Sequence, residues 1–443
     1  MKKFNLLLIL LIIMLCNNNV FAKDTVISMN KYKEEKFNYI IDSYNIEGKK
    51  DGKIIGGYIL KDNSQEDNSD TKDYRVIVTK YDNNNKITWK YIYGNKTGDK
   101  IDSLNYSYDN TGMIDGYLIT MHCTTQESIT ENTIFIKLSF DGKVIFEKNL
   151  EASNKIMLSK IKETYTDEGI IDGYVAIGNN FDTYTSYVLK FDRDLNIMWS
   201  REYDNFQYLD IENIIKDQKI IGYVVLRQNS DNLMSELIRF NVYGEEPIVI
   251  KNDLEESCSY HLAEANDGFI LYGDTKQVKL DKGTTSYYLA NYNSNNENYW
   301  ETFGDIAIDN NKIIKLLPLK KDNQIKEYLL LYSNDNIDTN LEIVKIGLEG
   351  EIKNKIKKIY DEYYDVSDYM FSNDILYLVG QINCPKDDTC EYDSNSLFLV
   401  SDEEKVIEVK DNDSRNILIV TGIFIIMIIG TIIIRRKRNL KYA

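Results

Sequence analysis

The chain contains three tryptophans, and all three stand in the same local frame. Asp82-Asn-Asn-Asn-Lys-Ile-Thr-Trp89, Asp192-Arg-Asp-Leu-Asn-Ile-Met-Trp199 and Asn293-Ser-Asn-Asn-Glu-Asn-Tyr-Trp300 each place Trp seven residues after a turn-forming residue. Sliding that frame along the chain finds weaker copies at Ser139 (Phe146 in the Trp slot), Asn241 (Ile248), Gly347 and Ser401. The seven anchors are 49 to 57 residues apart. All are drawn from the Asp, Asn, Ser and Gly set that tight turns require. A fixed period of this length marks a repeat architecture and constrains the fold more than any local propensity.

Each period reads as four strands. Upstream of each anchor runs an apolar strand led by an aromatic residue: Tyr58, Tyr117, Tyr174, Tyr223, Phe269, Tyr328 or Tyr377. In the third period the strands are expected over 157–164, 173–178, 186–191 and 197–203. β-Branched residues and alternation dominate, and no 3.6-residue apolar stripe is sustained before the C-terminus. Four-stranded antiparallel sheets repeated radially bury both faces of every sheet and hide its long edges. The expectation is an all-β fold, a seven-bladed β-propeller over residues 23–410. Six or eight blades also fit, because residues 25–48 supply either the first strand of the first blade or an outer strand that closes the ring.

The two ends set the expected location. Residues 1–22 read as a signal peptide: Lys2 and Lys3, an apolar run, then Val20-Phe21-Ala22 with cleavage after Ala22. A lipoprotein modified at Cys16 is the rival reading, and Leu15 is too large for the residue before such a cysteine. Residues 417–434 carry no charge, and Arg435, Arg436, Lys437 and Arg438 follow at once. Eighteen helical residues cover roughly 27 Å of a hydrocarbon core about 30 Å thick. The basic cluster belongs on the cytoplasmic side. A single-pass cell-membrane protein is expected, with an extracellular N-terminal domain, a short connector at 411–416, a transmembrane helix at 417–434 and a cytoplasmic tail at 435–443. The stretch before the helix lacks the Leu-Pro-x-Thr-Gly pattern of sortase substrates.

Charge excludes one class of partner. The chain carries 53 basic and 70 acidic residues, a net −17. Seven basic and no acidic residues lie outside 23–416, so the displayed portion stands at −24. Such a surface repels nucleic-acid phosphates. The expected partners are the membrane and an extracellular protein or glycan.

The frame Asp-Gly-Tyr … Lys-Phe-Asp … Ile-x-Trp resembles the repeats of bacterial secreted propellers related to the quinoprotein (pyrroloquinoline-quinone-like) superfamily, over about residues 50 to 410. The resemblance implies a propeller. It does not extend to the quinoprotein dehydrogenases' functional parts, since no two cysteines here are adjacent. Trp89, Trp199 and Trp300 take equivalent strand positions and read as packing between blades. No cofactor is expected.

No catalytic or metal residue is assigned from sequence. Cys384 and Cys390 bracket one polar insertion, where an extracellular compartment permits a disulfide worth roughly 2 kcal/mol. Cys123 and Cys258 read as buried free thiols. His122 and His261 each have a cysteine nearby without the spacing of a zinc site. Asp192-x-Asp194-x-Asn196 opens like a calcium loop but has Ile197 where glycine is needed, so it reads as a turn. A sialidase-like propeller requires an arginine triad, and the displayed portion has only Arg75, Arg193, Arg201, Arg227, Arg239 and Arg415. The long segments 62–73, 274–285 and 384–395 join second to third strands and open on one face, where they would build a binding surface on a rigid ring. The preferred reading is a binding or scaffolding module. A glycosidase-like hydrolase with its site in the central pore is the alternative, which clustered Asp, Glu, His or Arg at the pore would favour.

Overall fold

The computed structural model describes residues 25–26 and 35–402, apart from 61–73, 95–98, 126–127, 151–154, 181, 246, 255–258, 277–284, 306–310, 323, 335–338, 361–362, 373–374 and 384–393. Every element among these residues is a strand. Six antiparallel sheets are each built from four consecutive strands, and these are blades one to six: 35–93, 100–149, 157–204, 206–254, 259–305 and 311–360. One more four-stranded sheet is composite. Tyr363–Ser372, Ile375–Asn383 and Ser394–Asp402 take Thr25–Val26, from the other end of the chain, as their outer strand.

Strands are lettered A to D across each sheet, with Thr25–Val26 as D of the composite sheet. The A strands of successive sheets meet one another, so they surround the centre and the D strands form the rim of a β-propeller. The A strand of blade one, Glu35–Tyr44, lies against the composite sheet, and that of blade six, Asn311–Lys321, meets the sheet from the other side. The N-terminal stretch therefore does both things the sequence allowed: 35–44 opens the first blade and 25–26 completes the composite sheet.

Burial follows this arrangement. In blade three the strands are Met157–Tyr165, Ile171–Asn180, Thr185–Phe191 and Ile197–Asp204. Strand C is buried along its whole length because neighbouring blades cover both faces, whereas strand D alternates exposed and half-buried at the rim. The core is thus a series of layers between blades. One layer joins Leu118 and Phe135 of blade two to Tyr174, Leu189 and Phe191 of blade three.

A buried polar clamp recurs in blades one, two and three. A hydroxyl on strand A, an Asp eight residues later opening strand B, and a Lys on strand C come together as Ser43–Asp51–Lys80, Ser107–Asp115–Lys137 and Thr164–Asp172–Lys190. Lys80 Nζ donates to Asp51 at 2.8 Å and to the Tyr44 carbonyl at 3.1 Å, and Lys190 Nζ donates to Thr164 Oγ1 at 2.6 Å and Asp172 at 3.0 Å. An ammonium persists at such depth only with a counter-charge and oxygens for its protons. In blade six Lys345 takes the lysine position and pairs, at 3.5 Å, with Glu327, one residue beyond the position of the clamp's acid.

The register corrects the sequence frame at both ends. Gly52 stands opposite the turn residue Asp82, as Gly116 stands opposite Ser139 and Gly222 opposite Asn241. Lys53, not Tyr58, therefore fills the aromatic slot of blade one; its Nζ binds Asp42 at 2.9 Å and lies 4.5 Å from the centre of the Tyr377 ring. Tyr174 and Tyr223 pack on the preceding blade, but Tyr377 packs on the following one, with Phe37 and Ile40. A slip of one residue along a strand moves a side chain to the other face, and an aromatic landmark cannot report it.

Candidate functional site

The A strands meet around the centre, and Tyr39, Ser103, Lys160, Asp210, His261, Lys315 and Asp368 hold equivalent positions on them. In six of these seven strands a β-bulge falls immediately before that residue, as at Phe37/Tyr39, Leu158/Lys160 and Val366/Asp368. The exception is Ser259–Glu264, which carries His261. A bulge inserts one residue and re-aims the next side chain.

Within this ring one device occurs twice. Asp210 of blade four accepts from Lys160 Nζ of blade three, from the Leu262 N–H of blade five at 2.9 Å and from its own neighbour, the Ile211 N–H, at 2.7 Å. Asp368 of the composite sheet accepts from Lys315 Nζ of blade six at 2.8 Å, from the Ile40 N–H of blade one at 3.2 Å and from the Tyr369 N–H at 2.8 Å. Each carboxylate thereby joins three sheets and satisfies an inner-edge N–H that has no strand beside it. Two further pairs join A strands, Lys162–Glu212 at 2.7 Å and Lys36–Asp365 at 2.8 Å. Burial by itself would raise the Asp210 carboxyl. The opposing charges of Lys160 and then His261 outweigh it, so the group lies below its ordinary value and stays ionised.

Both histidines sit beside carboxylates that sequence spacing did not reveal. His122 Nδ1 is 2.8 Å from Asp102 Oδ1, and His261 Nδ1 is 3.9 Å from Asp210 Oδ2. No group of three or more His, Cys, Asp or Glu among the described residues is arranged to hold a metal ion. A general acid or base needs a proton or lone pair open to substrate. On Asp210 and Asp368 those lone pairs are taken up by lysines and backbone N–H groups.

The remaining sequence candidates are placed as follows. Trp89, Trp199 and Trp300 stand half-buried on D strands, and each ring lies over the glycine of the next blade's C–D turn: Gly142, Gly244 and Gly350. The indole N–H of Trp89 donates to the Phe140 carbonyl at 3.0 Å and that of Trp300 to Leu348 at 2.7 Å. Asp192 accepts the Asn196 N–H at 2.8 Å with Leu195 at φ 60°, the geometry of a turn. Arg193 and Arg239 bond turn carbonyls of neighbouring blades, and Arg227 lies 3.6 Å from the Phe206 ring centre within blade four; these arginines have separate partners and form no triad. Cys384, Cys390, Cys258, most of the three long segments, residues 1–22 and 411–443 with Arg435, Arg436, Lys437 and Arg438 lie outside the described residues. Among the described residues no helix is long and apolar enough to cross a membrane.

No family model matches the chain. A stretch of 166 residues is 24% identical to a structural protein, VP1, of Aedes pseudoscutellaris reovirus (isolate France), spanning 35% of this chain and only 14% of that protein. Among solved structures the chain is similar to the Dos1 propeller (10% identity, 84% of this chain and 94% of that one, TM-score 0.47). It is similar also to the polysaccharide lyase Uly1 (8%, 84% and 99%, TM-score 0.46) and to Drosophila Plexin A in complex with Semaphorin 1b (8%, 86% and 88%, TM-score 0.42). Likenesses this distant concern the fold and carry no argument about activity.

Proposed function

We propose that this chain is a membrane-anchored extracellular display module, a closed propeller whose composite sheet serves as the seventh blade and whose long-loop face holds a protein or glycan partner. The observation that carries this reading is the commitment of the pore carboxylates Asp210 and Asp368 to inter-sheet clamps, which makes the pore wall a staple and leaves binding to the faces. Chain direction supports the orientation. Strand Ser394–Asp402 runs toward the face that carries the A–B and C–D turns, so the connector 411–416 and the helix 417–434 would depart from there. The loops 62–73, 274–285 and 384–395 join B to C strands and would then point away from the membrane. Descent from quinoprotein-type repeats belongs to the same proposal and rests on the Asp-Gly-Tyr … Lys-Phe-Asp frame.

Two experiments test this reading. External protease applied to intact cells expressing the full chain is expected to remove the propeller and spare an epitope on the 435–443 tail; a protected propeller overturns the topology. The full chain in detergent, applied to glycan and surface-protein arrays, is expected to bind saturably without turnover. Hydrolysis of glycoside substrates that is lost in His261→Ala would replace the binding reading with the pore hydrolase, which the His261–Asp210 approach favours.

A further inference from the structure

The lysine of the buried clamp is missing from blade five although its acid remains, and a cleft lies at the break. Blade five opens strand B with Asp267-Gly268-Phe269, in step with Asp172-Gly173-Tyr174 of blade three. Gly268 and Gly173 lie against the same place on strand C, the Tyr292 and Phe191 carbonyls. Strand C ends Asn291-Tyr292-Asn293 in step with Lys190-Phe191-Asp192, with the same bulge between the first two residues. Asn291 therefore stands where Lys80, Lys137, Lys190 and Lys345 stand in blades one, two, three and six. Ala265 replaces the hydroxyl. The acid remains: Asp267 is exposed and makes no ion pair among the described residues. A cleft of about 330 Å³ opens here, lined by Asp267, Asn291, Asn266 and Asn293, with Tyr328 of blade six and the exposed ring of Tyr299. Tyr328 holds the strand-B position at which Tyr117 of blade two meets the Tyr44 backbone beside the clamp of blade one.

We infer that this cleft is a vacated lysine slot and receives the primary ammonium of a lysine side chain carried by a partner protein. Asp267 supplies the counter-charge that Asp51, Asp115 and Asp172 supply to their own lysines. Asn291 presents an amide oxygen to a remaining ammonium proton, and the two tyrosines cover the aliphatic stem; the amides of Asn266 and Asn293 are already engaged, by the Ile325 backbone and by the Asn295 and Glu297 N–H groups. The volume exceeds that of a bare ammonium head and holds the stem as well. In the intact blades the ammonium is held by one carboxylate and one or two carbonyl or hydroxyl oxygens spread around it, which suits the point charge of lysine better than the planar fork of arginine. The cleft lies among the A–B and C–D turns, on the face opposite the long loops, so the inference stands independently of a partner on that other face.

The test uses the full chain in detergent and calorimetric titration with N-acetyl-lysine amide, with N-acetyl-norleucine amide as the uncharged control. Saturable binding of the lysine compound alone is expected. Asp267→Asn should weaken it at least tenfold, and Asn291→Lys should abolish it while raising Tm, because the chain then fills its own slot. Equal binding of both compounds, or an unchanged affinity in Asp267→Asn, overturns the inference. Tighter binding of spermidine than of the lysine compound also overturns it, since a free polyamine would then be the occupant. Should Asn291→Lys fail to fold, Asp267→Asn still decides.

Discussion

At the rim, the seams between blades alternate. Leaving blades one, three and five, a tryptophan covers a glycine turn: Trp89 on Gly142, Trp199 on Gly244, Trp300 on Gly350. Leaving blades two and four, a cation bonds a turn that has no glycine: Lys148 Nζ of strand D donates to Asn196 Oδ1 at 2.8 Å, and Arg239, one strand further in on strand C, donates to the Ser294 carbonyl at 2.8 Å. Leu195 and Asn296 take the positive φ in those turns. The pore keeps a different spacing. Its carboxylate clamp spans blades three, four and five, then recurs at blade six, the composite sheet and blade one. Over these five seams among the described residues the rim alternates from blade to blade, whereas the pore clamp recurs three sheets on. Each rim seam depends on a C–D turn and a side chain from strand C or D of the preceding blade, within one hairpin of each. Pore clamps depend on three sheets meeting, which happens only when the ring is assembled.

That contrast can be broken most sharply at the pore. Asp368→Ala leaves Lys315 and the Ile40 N–H without their acceptor where blade six, the composite sheet and blade one meet. A loss of about 2–3 kcal/mol in urea unfolding is expected, chiefly from the buried Ile40 and Tyr369 N–H groups left without an acceptor, since Lys315 is partly solvated. At the rim, Trp199→Ala should cost less, about 2 kcal/mol, because the ring is only half-buried. Gly244→Ala should cost about 1–2 kcal/mol. Gly244 has φ +68°, and a Cβ there would sit 2.6 Å from the Trp199 ring. Part of that penalty should vanish in the double variant with Trp199→Ala, leaving the backbone strain alone. Additive losses would show that ring and glycine do not share one contact.

The finest distinction is read as slopes against pH. The Asp210 carboxyl is held below its ordinary value, so its stabilisation is complete above the unfolded-state carboxylate pKa of about 4 and is lost as pH falls through the folded value. Glu163, on strand A of blade three, behaves oppositely. Burial pushes its carboxyl up against the 2.6 Å hydrogen bond from the Tyr165 hydroxyl. Its contribution is therefore present below about pH 4 and is lost as pH rises through the folded value. Asp210→Asn should flatten the acid limb of the stability curve and Glu163→Gln the limb above it. Interchanged effects would reverse both assignments.

Much of the fold was legible because it is written at short range. The turn residues at 82, 139, 192, 241, 293 and 347, the strands of blade three within two residues at each end, and the position of the tryptophans all follow from local patterning that any one repeat carries. The aromatic frame slipped at Tyr58 and Tyr377, where Lys53 and a one-residue shift replace the usual landmark. The pore was not legible. Asp210 meets Lys160 and Leu262 from 50 and 52 residues away, separations that no spacing rule connects. The cleft of blade five left a trace in the sequence, Asn291 where blades one, two, three and six have lysine. That trace has meaning only once Lys80, Lys137 and Lys190 are known to be buried against acids.

By itself, then, the sequence determined the all-β repeat, its turn positions and the residues that pack each blade on the next, because hydrophobic alternation and turn chemistry act within a few residues of themselves. Tertiary structure alone decided that residues 25–26 join a sheet with 394–402, that buried lysines are paired, and that one slot is vacant. Those outcomes depend on the burial of charge, and the cost of burying a charge is set by whatever residues distant in the chain arrive beside it.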